Sequence, residues 1–154
     1  LVAVAEQLAN EILGFFEVAG PGKGDTRTQA FMKEQDVGAE KELGQNFAER
    51  EICAQTGLRP DFYFPEEGSI VEVALSLRNP KSEFERDLLK AIIAKEAGNR
   101  VQRLLLLCKP GGEARHRQPS SVAFIDWLLR VYRTEVVIRD LQVFERLPER
   151  GQVQ

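Results

Sequence analysis

SIVEVALSLRNP, residues 69–80, places a charge in the middle of the most strand-like run of the chain. Val71, Val73, Leu75 and Leu77 fall on one face by the two-residue period of a strand. Glu72 falls on the other face, beside Ala74. A carboxylate facing a sheet interior needs a partner, and its same-face neighbour is a bare methyl group.

The surroundings give this strand its place. DFYF (61–64) is a short strand and PEEGS a turn, so residues 61–77 form a hairpin. RNPKS leads into a helix in which Phe84, Leu88, Leu89, Ile92 and Ile93 recur at helical spacing, and Gly98 stops it. VQRLLLLC (101–108) is continuously apolar, as in a sheet covered on both faces. KPGGEARHRQP reads as a polar loop. SSVAFIDWLLRVYR reads as a helix capped by Ser120 or Ser121, with Trp127, Phe124, Leu128 and Tyr132 on its core side. TEVVIRDL (134–141) is a last strand.

Upstream, one helix is expected from about Ala3 to Phe16, and GPGKGD is a connector. Lys23 is followed by Gly24 rather than Ser or Thr, and no strand leads in, so the connector is not a phosphate loop. A second helical stretch is expected from about Thr28 to Gln55, with Phe31, Leu43, Phe47 and Ile52 as its apolar stripe and Gly57 as its stop. The order of elements implies an α/β fold, a mixed sheet with helices on both faces. One domain is expected over residues 1–154, with a core at about 38–140 and a helical N-terminal part at about 1–37.

Composition narrows the classes. Hydrophobic residues are 43% and charged residues 29% of the 154, a globular rather than a disordered balance. Glu6, Gln7, Asn10 and Glu11 interrupt the apolar N-terminal run, which excludes a signal peptide or membrane span there. The missing initiator Met is what a processed or trimmed chain shows. Cys53 and Cys108 match no metal motif and His116 is the only histidine, so a zinc site is not expected. Two isolated cysteines imply a reduced, cytoplasmic protein. Residues 1–98 carry 11 basic and 18 acidic side chains, a balance of −7, while residues 99–154 carry 10 and 6, a balance of +4. This asymmetry offers a polyanion one attractive region despite the net charge of −3, or is no more than a solvated surface, the reading charge alone favours.

Asp61 opens the first hairpin strand and Glu72 lies in the second. A hairpin sets such positions side by side, where two carboxylates repel unless a cation or a proton intervenes. Oxygen ligands of this kind suit Mg²⁺.

RPDFYFPEEGSIVEVALSLRNPKSEFERDLLKAI…VQRLLLLC resembles the core of the PD-(D/E)XK nuclease superfamily. That motif is Pro-Asp, a hairpin, then Asp or Glu, any residue, and Lys. Pro60-Asp61 and Glu72-Val73 match, over a resemblance covering about residues 38–108. The resemblance implies a three-layer α/β/α, restriction-endonuclease-like core. It implies a Mg²⁺-dependent DNA endonuclease, with Mn²⁺ as substitute, acting as a homodimer. Asp61, Glu72 and the Val73 backbone carbonyl would be metal ligands. An acid from the preceding helix is expected too, with Glu40 as candidate and Glu42 and Glu49 as rivals. Arg78, Asn79 and Lys81 follow the strand and are expected to touch phosphate. Arg115, His116 and Arg117 are expected at a DNA groove.

The departure is Ala74, where the family has lysine. Three explanations compete. The lysine was replaced in an engineered knockout, or its role moved to Lys81 or Lys90, or the chain is a natural non-catalytic nucleic-acid-binding or assembly module. On the first explanation Ala74→Lys restores cleavage, and Lys81 and Lys90 are dispensable. An unrelated α/β domain would place Asp61 and Glu72 far apart.

Overall fold

A computed structural model describes residues 1–13, 26–74 and 80–141. Four strands form one sheet in the order β1-β2-β3-β4: β1 (Phe62–Phe64), β2 (Ser69–Ala74), β3 (Arg103–Cys108) and β4 (Glu135–Asp140). β1 runs antiparallel to β2, and β2, β3 and β4 are mutually parallel. The sheet is therefore mixed, as the hairpin followed by strand–helix–strand units requires.

Helices cover both faces. α1 (Val2–Leu13) and α2 (Thr26–Leu43) lie on one, where Ala5, Ala9, Phe31 and Ala39 pack on Phe62, Phe64, Val71, Leu105 and Leu107. α3 (Pro80–Glu96) and α5 (Pro119–Tyr132) lie on the other, where Phe84, Leu88, Ala91 and Leu128 pack on Tyr63, Ile70, Leu104 and Leu106. β3 is buried along Leu104–Cys108, because alternate leucines feed the two cores. The alternation in β2 is the expected one: Val71 and Val73 face the α1–α2 side, and Ile70 and Ala74 face the α3–α5 side. No helix among the described residues is long and apolar enough to cross a membrane.

Three sequence expectations are corrected. α2 ends at Leu43 rather than near Gln55. Gly44 adopts φ +68°, and its N–H bonds the Glu40 carbonyl at 2.9 Å, which is the left-handed stop that glycine makes easiest. The chain then runs beside β1, with the Tyr63 N–H donating to the Phe47 carbonyl and the Glu49 N–H to the Asp61 carbonyl, both at 3.1 Å. The expected polar loop at 109–119 contains a one-turn helix, α4 (Gly112–Arg115). Gly112 is required there, since a Cβ would lie 2.4 Å from the Cys108 Cβ. Neither Ser120 nor Ser121 caps α5; Gln118 is the N-cap, without a side-chain bond, and Pro119 takes the first turn. The 20–25 connector and residues 75–79 of the 69–80 run lie outside the described residues.

Candidate active site

The register decides the geometry. Phe62 pairs with Val71, so Asp61 stands abreast of Glu72, one step beyond the last pair. The parallel strands end at the same side of the sheet, so the Asp61–Glu72 pair sits at their carboxyl ends, where open α/β sheets take ligands. Both acids belong to the α3 face by alternation with Phe62 and Val71.

Glu72 is 3% exposed. One carboxylate oxygen accepts a hydrogen bond from Lys90 Nζ at 2.8 Å, and the other, Oε1, is buried with no partner among the described residues. Burial raises the Glu72 pKa well above the ordinary range, and the Asp61 and Asp87 charges add to the rise. Asp61 Oδ2 accepts the Val73 backbone N–H at 2.7 Å. Its pKa is also raised, by burial with the Glu49 charge adding to it, against the lowering effects of that N–H and of Lys90. The two carboxyl groups thus converge.

Lys90 comes from the middle of α3. Its ammonium bridges Glu72 and Asp87, the latter at 3.2 Å one helical turn earlier. Burial works against the lysine charge, yet the three surrounding carboxylates outweigh it and raise the Lys90 pKa. Asp87 itself is pushed up to about 6, first by burial.

The acid of α2 that feels the charge of Asp61 is Asp36, not Glu40, although α2 packs on the opposite face of the sheet. Glu40 and Glu42 are exposed; Glu49 is exposed too, but it lies beside Asp61, whose carbonyl accepts its N–H, and its charge helps raise the Asp61 and Asp36 pKa values. Asp36 Oδ1 is buried without a partner among the described residues. Burial, then the charges of Asp61 and Glu49, push its pKa up to about 6. A signal for it existed: Asp36 falls on the stripe of Met32, Ala39 and Leu43 at spacings of four, three and seven. The same holds for Asp87, three residues after Phe84 on the buried face of α3.

The other expected residues are scattered. Ala74 is half-buried on the α3 side of β2, packed on the core of that side and on the same strand face as Glu72. Lys81 is exposed at the start of α3; the ammonium that pairs with Glu72 and Asp87 is that of Lys90. Arg78 and Asn79 lie outside the described residues. Arg115 is exposed, and Arg117 is exposed and ion-paired with Glu113. His116 is not presented to a groove: it is 7% exposed and packs tilted against Phe84 with ring centres 4.8 Å apart. Its burial lowers its pKa against the pull of Asp140. Asp140 clamps the α4 loop by accepting the Gly111 and Glu113 N–H groups. Trp127 is 38% exposed rather than core.

Among the described residues no three acid, His or Cys side chains converge closely enough to hold a metal by themselves. Two carboxylates still fit Mg²⁺, which retains waters and commonly takes only one or two protein carboxylates plus a phosphate oxygen. The unpartnered Glu72 Oε1 beside Asp61 is the observation that supports that fit. The site is thus an acid–lysine cluster at the carboxyl ends of a mixed sheet in an α/β protein. No protein-family model, curated protein or solved structure matches the chain.

Proposed function

We propose that this chain is a Mg²⁺-dependent DNA endonuclease domain of restriction-endonuclease-like fold, with its lysine supplied by α3 instead of β2. The observation that carries the reading is Lys90 Nζ at 2.8 Å from the buried Glu72 carboxylate that faces Asp61. An ammonium on that carboxylate does what a lysine at position 74 would do, arriving from the neighbouring helix. Asp61, Glu72 and the Val73 carbonyl would hold the cation, and Asp36 would approach from α2. The cation would supply charge neutralisation at the phosphate and a polarised water. Lys90 would orient the attacking water and steady the negative charge on phosphorus. Asp87 would keep the ammonium in place when Glu72 turns to the cation. This favours the relocated lysine over an engineered knockout, and it makes Lys90 indispensable.

The experiment is nicking of supercoiled plasmid with Mg²⁺. The unaltered protein should nick. Glu72→Gln/Lys90→Met removes both charges of the buried pair, so it should fold and yet be inactive. Lys90→Met/Ala74→Lys should regain cleavage by returning the ammonium along β2. An inactive unaltered protein with an active Ala74→Lys variant would restore the knockout reading.

A second reading has its own observation. Asp61 bonded to the Val73 N–H and Glu72 paired with Lys90 form a cluster that also serves to fix the hairpin against α3. A non-catalytic nucleic-acid-binding or assembly module would use it that way. That reading requires DNA binding without Mg²⁺-dependent nicking in every variant.

A further inference from the structure

The stretch from Lys109 to Ser120 leaves the carboxyl end of β3 and carries α4, and in it only Gly112 and His116 are buried. The two anchors differ in kind. Gly112 seats bare backbone on Cys108: a Cβ at 112 would stand 2.4 Å from the Cys108 Cβ and 3.2 Å from its Sγ. His116, at the other end of α4, sets its ring against Phe84 of α3. Asp140 of β4 holds the turn, accepting the Gly111 N–H at 3.0 Å and the Glu113 N–H at 2.7 Å. Ala114, Arg115 and Arg117 are exposed. Under this cover the Cys108 thiol is 1% exposed, and burial, then Asp140, Asp87 and Glu113, push its pKa up to about 12. α4 is thus a small cover held down by an aromatic plug, and the plug can take a proton.

A neutral imidazole packs on a phenyl ring at little cost, whereas an imidazolium in the same place loses its water shell. The charged groups around the ring come from several elements. From β4, Asp140 favours the charged form, yet burial outweighs it and the His116 pKa is lowered. From α3 the contact is the uncharged Phe84, with Asp87 one turn further on. Its own turn supplies Glu113, paired with Arg117, and the exposed Arg115. The end of β3 supplies the Cys108 thiol, followed by Lys109. Once lifted into water the imidazole returns to its ordinary value near 6.5. The lifted state therefore binds a proton more strongly than the docked state, and lifting is favoured as pH falls below that value.

We propose that α4 is an acid-released flap: when His116 takes a proton it leaves Phe84, Gly112 lifts off Cys108, and the thiol opens to solvent. At neutral pH the uncharged plug and the Asp140 bonds hold the flap shut. The device does not rest on the nuclease reading, since it is read at Cys108 and not by cleavage.

Thiol exchange with 4,4′-dithiodipyridine tests it. Peptide mapping identifies which cysteine is labelled, and each rate is divided by that of the urea-unfolded chain at the same pH. The ratio removes the pH dependence of thiolate formation and of the reagent. From pH 7.5 to pH 5.0 the Cys108 ratio should rise about fivefold or more, because the proton favours the lifted state. Cys53, buried in the same core against the Lys90 carbonyl, should keep its ratio. His116→Phe retains a ring on Phe84 without a proton site, and should hold the Cys108 ratio low at both pH values. His116→Gln, a second neutral replacement, should likewise show no step, with circular dichroism confirming that each variant is folded. A Cys108 ratio that does not change with pH in the unaltered protein overturns the proposal. So does a step that persists in either folded variant, since another group, such as Asp87, then sets it. An equal rise at Cys53 also overturns it, because the whole core and not α4 has then loosened.

Discussion

At the scale of single residues, the site's behaviour follows from carboxylates held too close together. Lys90→Met should reduce plasmid nicking at least a hundredfold, about 2.7 kcal/mol, the usual cost of losing one positioned charge at a transition state. Asp36 makes a prediction of opposite signs. Its folded-state pKa of about 6 lies above its ordinary 3.8, so its contribution to stability is full below pH 3.8 and lost as pH rises through 6. Asp87 behaves in the same direction. The metal-free protein should therefore melt at a higher temperature near pH 4.5 than at pH 7.5. Asp36→Asn should stabilise it at pH 7.5 by about 1 kcal/mol, discounted for the group's partial exposure, or roughly 2–4 °C in melting temperature. The same change should slow nicking. A substitution that stabilises and inactivates together is what a site residue gives and a surface residue does not. Calorimetry at the two pH values checks the first half, and the nicking assay the second.

At the scale of elements, the backbone positions matter more than the charges. α4 can approach β3 only because position 112 has no side chain: a Cβ there would overlap Cys108 backbone-proximal atoms at 2.4 Å. Gly112→Ala should cost about 1–3 kcal/mol by forcing apart the loop that Asp140 clamps, read as a lower urea midpoint. Asp140→Asn should cost less, because it weakens two N–H acceptors without overlap. Most elements were legible in the sequence. The period-two run at 69–74 gave a strand with its faces correctly assigned, and the α3 stripe gave its helix with the Gly98 stop. The end of α2 was not legible, because Gly44 and Gly57 carry the same local signal. Only the backbone bonds from Phe47 and Glu49 to β1 decide which of them breaks the helix. Trp127 was misplaced for a related reason: an apolar helix shows that something is covered, not by what.

At the scale of the whole molecule, charge is uneven. If the basic region after Gly98 meets DNA, affinity should fall steeply with salt through counterion release. Arg115→Ala should flatten the slope of log affinity against log salt by about one unit, its side chain being exposed. Arg117→Ala should flatten it less, because Glu113 already pairs with it. Filter binding over a salt series measures both, and an unchanged slope would assign the loop to solvent alone. The sequence by itself determined the α/β class, the hairpin and the meeting of Asp61 with Glu72. Those follow from periodicity and from turns of short span, which are local. The tertiary structure alone decided that Lys90 rather than Lys81 reaches Glu72, and that Asp36 rather than Glu40 feels the charge of Asp61. Which turn of a helix points at a sheet depends on how the helix rotates as its apolar stripe seats. That rotation is fixed by packing against residues distant in sequence, such as Ala5 for α2 and Leu106 for α3, and no local spacing contains it.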